Sequence, residues 1–267
     1  MPSMNILKQN NVQVIGQGNQ TLLFVNGFGC DQSIWRYILP ALSKQYRLVL
    51  FDHIGAGQSD TSAYDSSKYA SLDGYAQDVV SICRELELTN VTLVAHSVGA
   101  MIGMLAAIQE PFRFQQLLLL CPSPCYLNQS DYYGGFERAD VESMLAYMEK
   151  DFVGWADSFA PFLMGNPDQP SLAAELAHSF CQTDPSIAKQ FARVTFLSDN
   201  RQDLAHLHAP CLLIQCAQDL IAPPEVGDYL QAAIPGATLV TLPVNGHCPH
   251  VSAPRETLEV IEAFMAA

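Results

Sequence analysis

Short runs of consecutive apolar residues alternate along this chain with longer segments in which apolar residues recur every three or four positions. The runs Val12 to Ile15, Leu22 to Val25, Arg47 to Phe51, Val91 to Ala95, Leu117 to Leu120, Leu212 to Gln215 and Thr238 to Thr241 have the length of buried strands. Between most of them, helical spacing predicts helices over Ser33 to Leu42, Leu72 to Leu86, Val98 to Gln109, Glu225 to Ala233 and Glu256 to Met265. Strands that alternate with helices and read as continuously apolar belong to a sheet covered on both faces. The pattern therefore predicts an α/β fold with a mainly parallel sheet.

The alternation stops between Cys125 and Asn200, where helix-spaced residues take over. Val141, Met144, Leu145 and Met148 fit one helical face, and Phe152, Trp155, Phe159 and Phe162 a second. Gly165-Asn166-Pro167 breaks the chain before a third face, Leu172, Leu176 and Phe180. Asp184-Pro185 then supplies a cap and an N1 proline for a fourth helix carrying Ile187 and Phe191. The expected organisation is a core over residues 1–125, an inserted four-helix lid over 126–200, and the rest of the core over 201–267.

Composition agrees with one large buried core. Of 267 residues, 49% are hydrophobic and only 15% charged, and the mean hydropathy is +0.11. The net charge of −14 repels phosphate backbones and anionic lipid surfaces, so no nucleic acid and no membrane partner is expected, and neutral ligands are favoured. No apolar stretch reaches the length of a membrane span, and Met1 to Asn11 is polar, without a hydrophobic signal region. A cytoplasmic location follows as the expectation. The eight cysteines are irregularly spaced, without a Cys-Xaa-Xaa-Cys pair, and read as buried free thiols.

The chemistry concentrates in Val91 to Ala100, where a strand-type run breaks into Ala95-His96-Ser97-Val98-Gly99 and then a helix. A strand-to-helix elbow lifts a serine hydroxyl clear of the backbone, within reach of both a base and a substrate. Ser97 is the expected nucleophile. Asp219, at the C-terminal end of the Leu212 to Gln215 strand, is the expected acid. His247, in the loop between the last strand and the last helix, is the expected base, and the chain order nucleophile, acid, histidine is the one this chemistry uses. His250 competes with His247, but its place beside Pro249 and the final helix suits a structural role. The oxyanion requires two backbone N–H donors, expected from Val98 and from Phe28 in the loop Asn26-Gly27-Phe28-Gly29. His206-Leu207-His208 and the pair His247 and His250 lack a carboxylate or cysteine at metal-ligand spacing, so no metal is expected. The run Asp52 to Ser59 lacks the third glycine and the helix start of a dinucleotide loop, so no cofactor is expected either.

These motifs resemble the α/β-hydrolase superfamily, and more specifically the RsbQ-like bacterial stress-response hydrolases and their plant relatives, the karrikin and strigolactone receptors. The likeness is carried by Gly27 to Ser33, Leu72 to Asp78, Ala95 to Met104, Pro122 to Asn128, Tyr132 to Phe136 and Gly246 to His250. Two positions depart from it: Ala95, where glycine is usual, and Asn26, where the plant relatives usually have histidine. The resemblance implies a four-helix lid over an apolar pocket lined by Phe28, Tyr126, Phe136, Trp155, Phe159 and Phe196. It also implies two functional readings. One is a slow hydrolase of a small apolar ester or lactone that signals through a PAS-domain regulatory protein, and the other a metabolic esterase or lactonase with no such partner. A lyase or cofactor-free oxygenase on the same scaffold is a third, lesser reading.

Overall fold

The computed structural model describes residues 5–266, so Met1 to Met4 of the polar N-terminal run lie outside the described residues. Seven strands, β1 (Gln13–Ile15), β2 (Thr21–Val25), β3 (Arg47–Leu50), β4 (Val91–His96), β5 (Phe114–Leu120), β6 (Cys211–Gln218) and β7 (Thr238–Asn245), form one sheet in the order β1-β3-β2-β4-β5-β6-β7. β1 pairs antiparallel with β3, and the other neighbours pair parallel. Every residue of β2 and β4 is buried, because helices cover both faces of the sheet at its centre. β6 and β7 run beyond their expected ends at Gln215 and Thr241, which carries the loops that follow them further past the sheet edge.

Before β5 the helices are α1 (Ile6–Gln9), α2 (Leu39–Leu42), α3 (Leu72–Glu85) and α4 (Val98–Gln109). The single helix expected over Ser33 to Leu42 is instead a 3-10 turn at Gln32–Trp35 followed by the short α2. Pro40 has no N–H to give to the preceding turn and its ring crowds the carbonyl there, so a helix can begin near it but cannot run through it.

Four helices lie between β5 and β6: α5 (Arg138–Lys150), α6 (Phe152–Met164), α7 (Pro170–Cys181) and α8 (Pro185–Leu197). Three of their boundaries have a clear local cause. The Asp151 carboxylate accepts from Gly154 N–H at the start of α6, Gly165 ends that helix in the left-handed conformation, and Asp184 accepts from the Ser186 and Ile187 N–H groups at the start of α8. Phe162, expected on the apolar face of α6, is 40% exposed. Seven residues after Trp155, it is only about 20° from that ring around the helix axis, but near the C-terminal end of α6 it borders an open groove shared with Tyr133, Phe136 and Leu220.

After β6 come α9 (Pro224–Ala233), then β7, α10 (Pro249–Ser252) and α11 (Pro254–Met265). All eight cysteines are free thiols, and Cys181 is the exposed one. Among the described residues no helix is long and apolar enough to cross a membrane.

Candidate active site

Ser97 follows the last residue of β4 and precedes the first of α4, with φ 56° and ψ −129°. A non-glycine residue in that region is strained, and the surroundings hold it there. Its N–H donates to the Leu120 carbonyl of the neighbouring strand at 2.9 Å. A methyl group on Gly99 would lie 2.3 Å from the Asn26 carbonyl oxygen, and one on Gly27 would lie 2.7 Å from His96 Nδ1 and 3.3 Å from Ser97 Cβ. The glycines thus let β2, its following loop and the start of α4 close around the serine. Ala95 is fully buried, paired with Val25 on one side and Leu119 on the other.

The parallel sheet brings Ser97, Asp219 and His247 to the same edge. Ser97 Oγ lies 2.7 Å from His247 Nε2, and His247 Nδ1 lies 2.7 Å from Asp219 Oδ2. The other carboxylate oxygen, Asp219 Oδ1, accepts from the N–H groups of Ile221 at 2.8 Å and Ala222 at 3.1 Å. An ionised carboxylate is acceptor only, so it fixes the imidazole proton on Nδ1 and leaves Nε2 free to accept the serine proton. The Val98 N–H stands at the first position of α4, where no helical partner exists, and Phe28 lies in the loop that packs on the elbow.

His247 is clamped through its own backbone. Its N–H donates to the Leu163 carbonyl near the end of α6 at 3.0 Å, and its carbonyl accepts from His96 Nε2 at 2.7 Å. Burial, and then the neighbouring histidines, hold His96 well below the usual histidine range, so it stays neutral with its proton on Nε2. His250 is buried against Trp35 and His96, with ring centroids 4.5 Å apart in each case. Burial pushes His250 down to about 3. It hydrogen-bonds no part of the serine–histidine–aspartate chain. His53 is held near 4, also by burial, with its Nε2 3.0 Å from the Asn26 carbonyl.

The thiol of Cys121, the nearby His247 ring and the Asp219 carboxylate present their heteroatoms within 4.8 Å of one another. The histidine and carboxylate are already bound to each other, and burial raises the Cys121 thiol well above its usual range, so it remains protonated beside Cys216.

Above Ser97 the cavity is small, about 10 Å³, and its wall includes Phe28, Cys30, Tyr126, Leu163, Phe196 and His247. Phe136, Trp155 and Phe159 stand one ring further out. Trp155 touches Phe28 at 6.0 Å between centroids, while Phe159 and Phe136 touch Phe196 at 6.0 and 6.1 Å. Phe180 and Phe191, whose spacing signals only helix packing, approach the Phe28 ring to 5.9 and 5.6 Å. The wider surface grooves, such as one of about 600 Å³ along Arg36, Glu175 and His178, do not reach Ser97 or His247. Two contacts at the site have no signal in the sequence, the Tyr126 hydroxyl on Ser97 Oγ at 3.3 Å and the His96 hold on His247. The Asp219 turn did have one, since an aspartate commonly accepts from the backbone two residues on.

A mainly parallel sheet flanked by helices, with a serine at a strand-to-helix elbow, is the α/β-hydrolase fold. The chain matches the α/β hydrolase family over residues 22–260 and belongs to it. It is 38% identical over 262 residues to a strigolactone esterase of Arabidopsis thaliana, covering 98% of each chain. It is 36% identical over 260 residues to Karrikin insensitive 2 receptor CA of Petunia hybrida, covering 97% of this chain and 96% of that one. A hydrolase from Oleispira antarctica has a similar structure, with a TM-score of 0.96 and 41% identity, over 98% of this chain and 96% of that one.

Proposed function

We propose that the protein is a serine hydrolase of small, neutral, apolar esters or lactones, with Ser97 as nucleophile, His247 as base and Asp219 as the orienting acid. The observation that carries this reading is the unbroken chain of 2.7 Å contacts from Ser97 Oγ through His247 to Asp219. In the reaction His247 Nε2 takes the serine proton as Oγ attacks the carbonyl carbon, and the N–H groups of Phe28 and Val98 receive the oxyanion. His247 returns the proton to the departing alkoxide, and water, deprotonated by the same nitrogen, releases the acid. The aromatic wall favours an apolar substrate, because a charged group there would lose its hydration without a partner.

The test is hydrolysis of p-nitrophenyl acetate together with labelling by a fluorophosphonate. Wild type is expected to turn over the ester and to take up one label, and Ser97→Ala to do neither. Labelling that survives Ser97→Ala overturns the assignment.

Within this reading the hydrolase serves as a cytoplasmic signalling regulator. A cavity of about 10 Å³ is smaller than any ester, so substrate entry requires the aromatic wall to part. Since α6 is bonded to the backbone of His247, opening and turnover are linked to the placement of the inserted helices, which a partner can read. The similarity to a protein named as a receptor supports the same role. The expected partner is a PAS-domain regulatory protein, recovered by pull-down with wild type and Ser97→Ala. Rapid ester turnover with no signalling partner in either pull-down would establish the metabolic esterase or lactonase instead.

A further inference from the structure

We infer that Tyr126 is a catalytic residue of this hydrolysis, its phenolic O–H donating to Ser97 Oγ and stabilising the negative charge that oxygen carries as the acyl bond forms and breaks. The inference rests on the serine-hydrolase reading above. The two oxygens lie 3.3 Å apart.

Proton accounting sets the direction of the bond. Asp219 holds the imidazole proton on Nδ1, so His247 Nε2 is bare and accepts the only proton Ser97 has, at 2.7 Å. Ser97 therefore has none left for Tyr126, and Tyr126 is the donor. Burial drives the phenol's ionisation well above its usual range, so it keeps that proton at neutral and alkaline pH. The ring is fixed in place by contact with Phe196, 5.2 Å between centroids, and the Tyr126 carbonyl accepts from the Phe136 N–H at 3.1 Å. The donor is thus aimed before any substrate arrives.

Oγ plays opposite parts in the two halves of the reaction. In the first, its proton passes to His247 Nε2, the Oγ–carbon bond forms, and the carbonyl π pair moves onto the carbonyl oxygen. Re-formation of the carbonyl then expels the alkoxide, which takes the proton from Nε2. In the second, water gives a proton to Nε2 and bonds to the acyl carbon, after which the Oγ–carbon bond breaks and Oγ recovers the proton from Nε2. Tyr126 retains its own proton throughout. Because Oγ gains negative character as nucleophile and again as leaving group, one donor at that atom assists both halves, whereas the Phe28 and Val98 N–H groups serve only the carbonyl oxygen.

Tyr126→Phe keeps the ring and removes the donor. Stopped-flow hydrolysis of p-nitrophenyl acetate separates the acylation burst from deacylation. Both rate constants are expected to fall about tenfold or more, while KM changes less than about threefold. Fluorophosphonate labelling of Ser97 is expected to slow in parallel, with the melting temperature close to wild type. Unchanged rate constants overturn the inference, and so does a raised KM at constant kcat, which would place the phenol on the substrate. Failure of wild type to hydrolyse the ester or take up the label overturns the serine-hydrolase reading and this inference with it. An active wild type matched by Tyr126→Phe overturns the role of Tyr126 alone.

Discussion

Asp219 Oδ2 and His247 Nδ1 stand 2.7 Å apart with both side chains closed off from solvent, while backbone N–H groups of Ile221 and Ala222 hold the other carboxylate oxygen. That second hold makes Asp219→Asn informative. The variant's amide oxygen keeps the backbone contacts, which turns its NH₂ toward His247 Nδ1. The imidazole must then carry its proton on Nε2, where it cannot accept from Ser97. The kcat for p-nitrophenyl acetate is expected to fall about 10⁴-fold, with the melting temperature little changed. Activity within tenfold of wild type would show that the carboxylate does not set the tautomer.

The loop after β2 tolerates no side chain at its closest approach to the serine. In Gly27→Ala the new methyl would meet His96 Nδ1 at 2.7 Å and Ser97 Cβ at 3.3 Å, and neither the buried ring nor the elbow can yield freely. The loop carrying Phe28 must shift outward. Loss of one oxyanion donor typically costs about 10² to 10³ in turnover, and a fall of that size is expected in kcat. Circular dichroism is expected to show the fold retained, and wild-type kcat in Gly27→Ala would contradict the close packing.

Asn26, in the loop after β2, has a structural task. Its Oδ1 accepts from Trp35 Nε1 at 2.7 Å and its Nδ2 donates to the Phe51 carbonyl at 2.8 Å, with the residue fully buried. Asn26→Ala strands both partners away from water, at about 1–3 kcal/mol each. A fall in melting temperature of about 5–15 °C is expected from thermal unfolding.

Acid stability is tied to the buried histidines. His53 and His250 sit near 4 and 3 because burial disfavours their charged forms, whereas in the unfolded chain both titrate at about 6.5. Below that value the unfolded state binds protons the folded state refuses, so their contribution is complete above pH 6.5 and is lost as pH falls toward 4, by about 3 kcal/mol for each. His96 acts in the same direction. Both ring nitrogens of His250 lack a hydrogen-bond partner, so His250→Phe should hold its stability at pH 7 and lose less between pH 7 and 4.5 than wild type, measured by urea unfolding. Equal pH slopes would refute this account.

The strand and helix order, the elbow at Ser97 and the positions of Asp219 and His247 were legible because each is written locally. Apolar runs of strand length, helical spacing and turn residues such as Gly165 and Asp184-Pro185 record the solvent exposure and backbone angles of their own segment. Where a local cue was overridden, the cause was also local: Pro40 divides the helix expected over Ser33 to Leu42.

What no local pattern records is which distant side chains meet. His96 binds the His247 carbonyl across 151 positions of sequence, and the Tyr126 hydroxyl reaches Ser97 across 29. Helical spacing marks Trp155, Phe159, Phe180 and Phe191 alike as buried, yet only the crossing of α6, α7 and α8 over the Phe28 loop decides which ring stands beside Phe28 and which one layer out. By itself the sequence determined the α/β frame and the three groups able to form a relay, because periodicity and turn chemistry are properties of a segment. Tertiary structure alone decided that those groups lie at 2.7 Å under a nearly closed aromatic wall, because distance and burial are set by how segments pack.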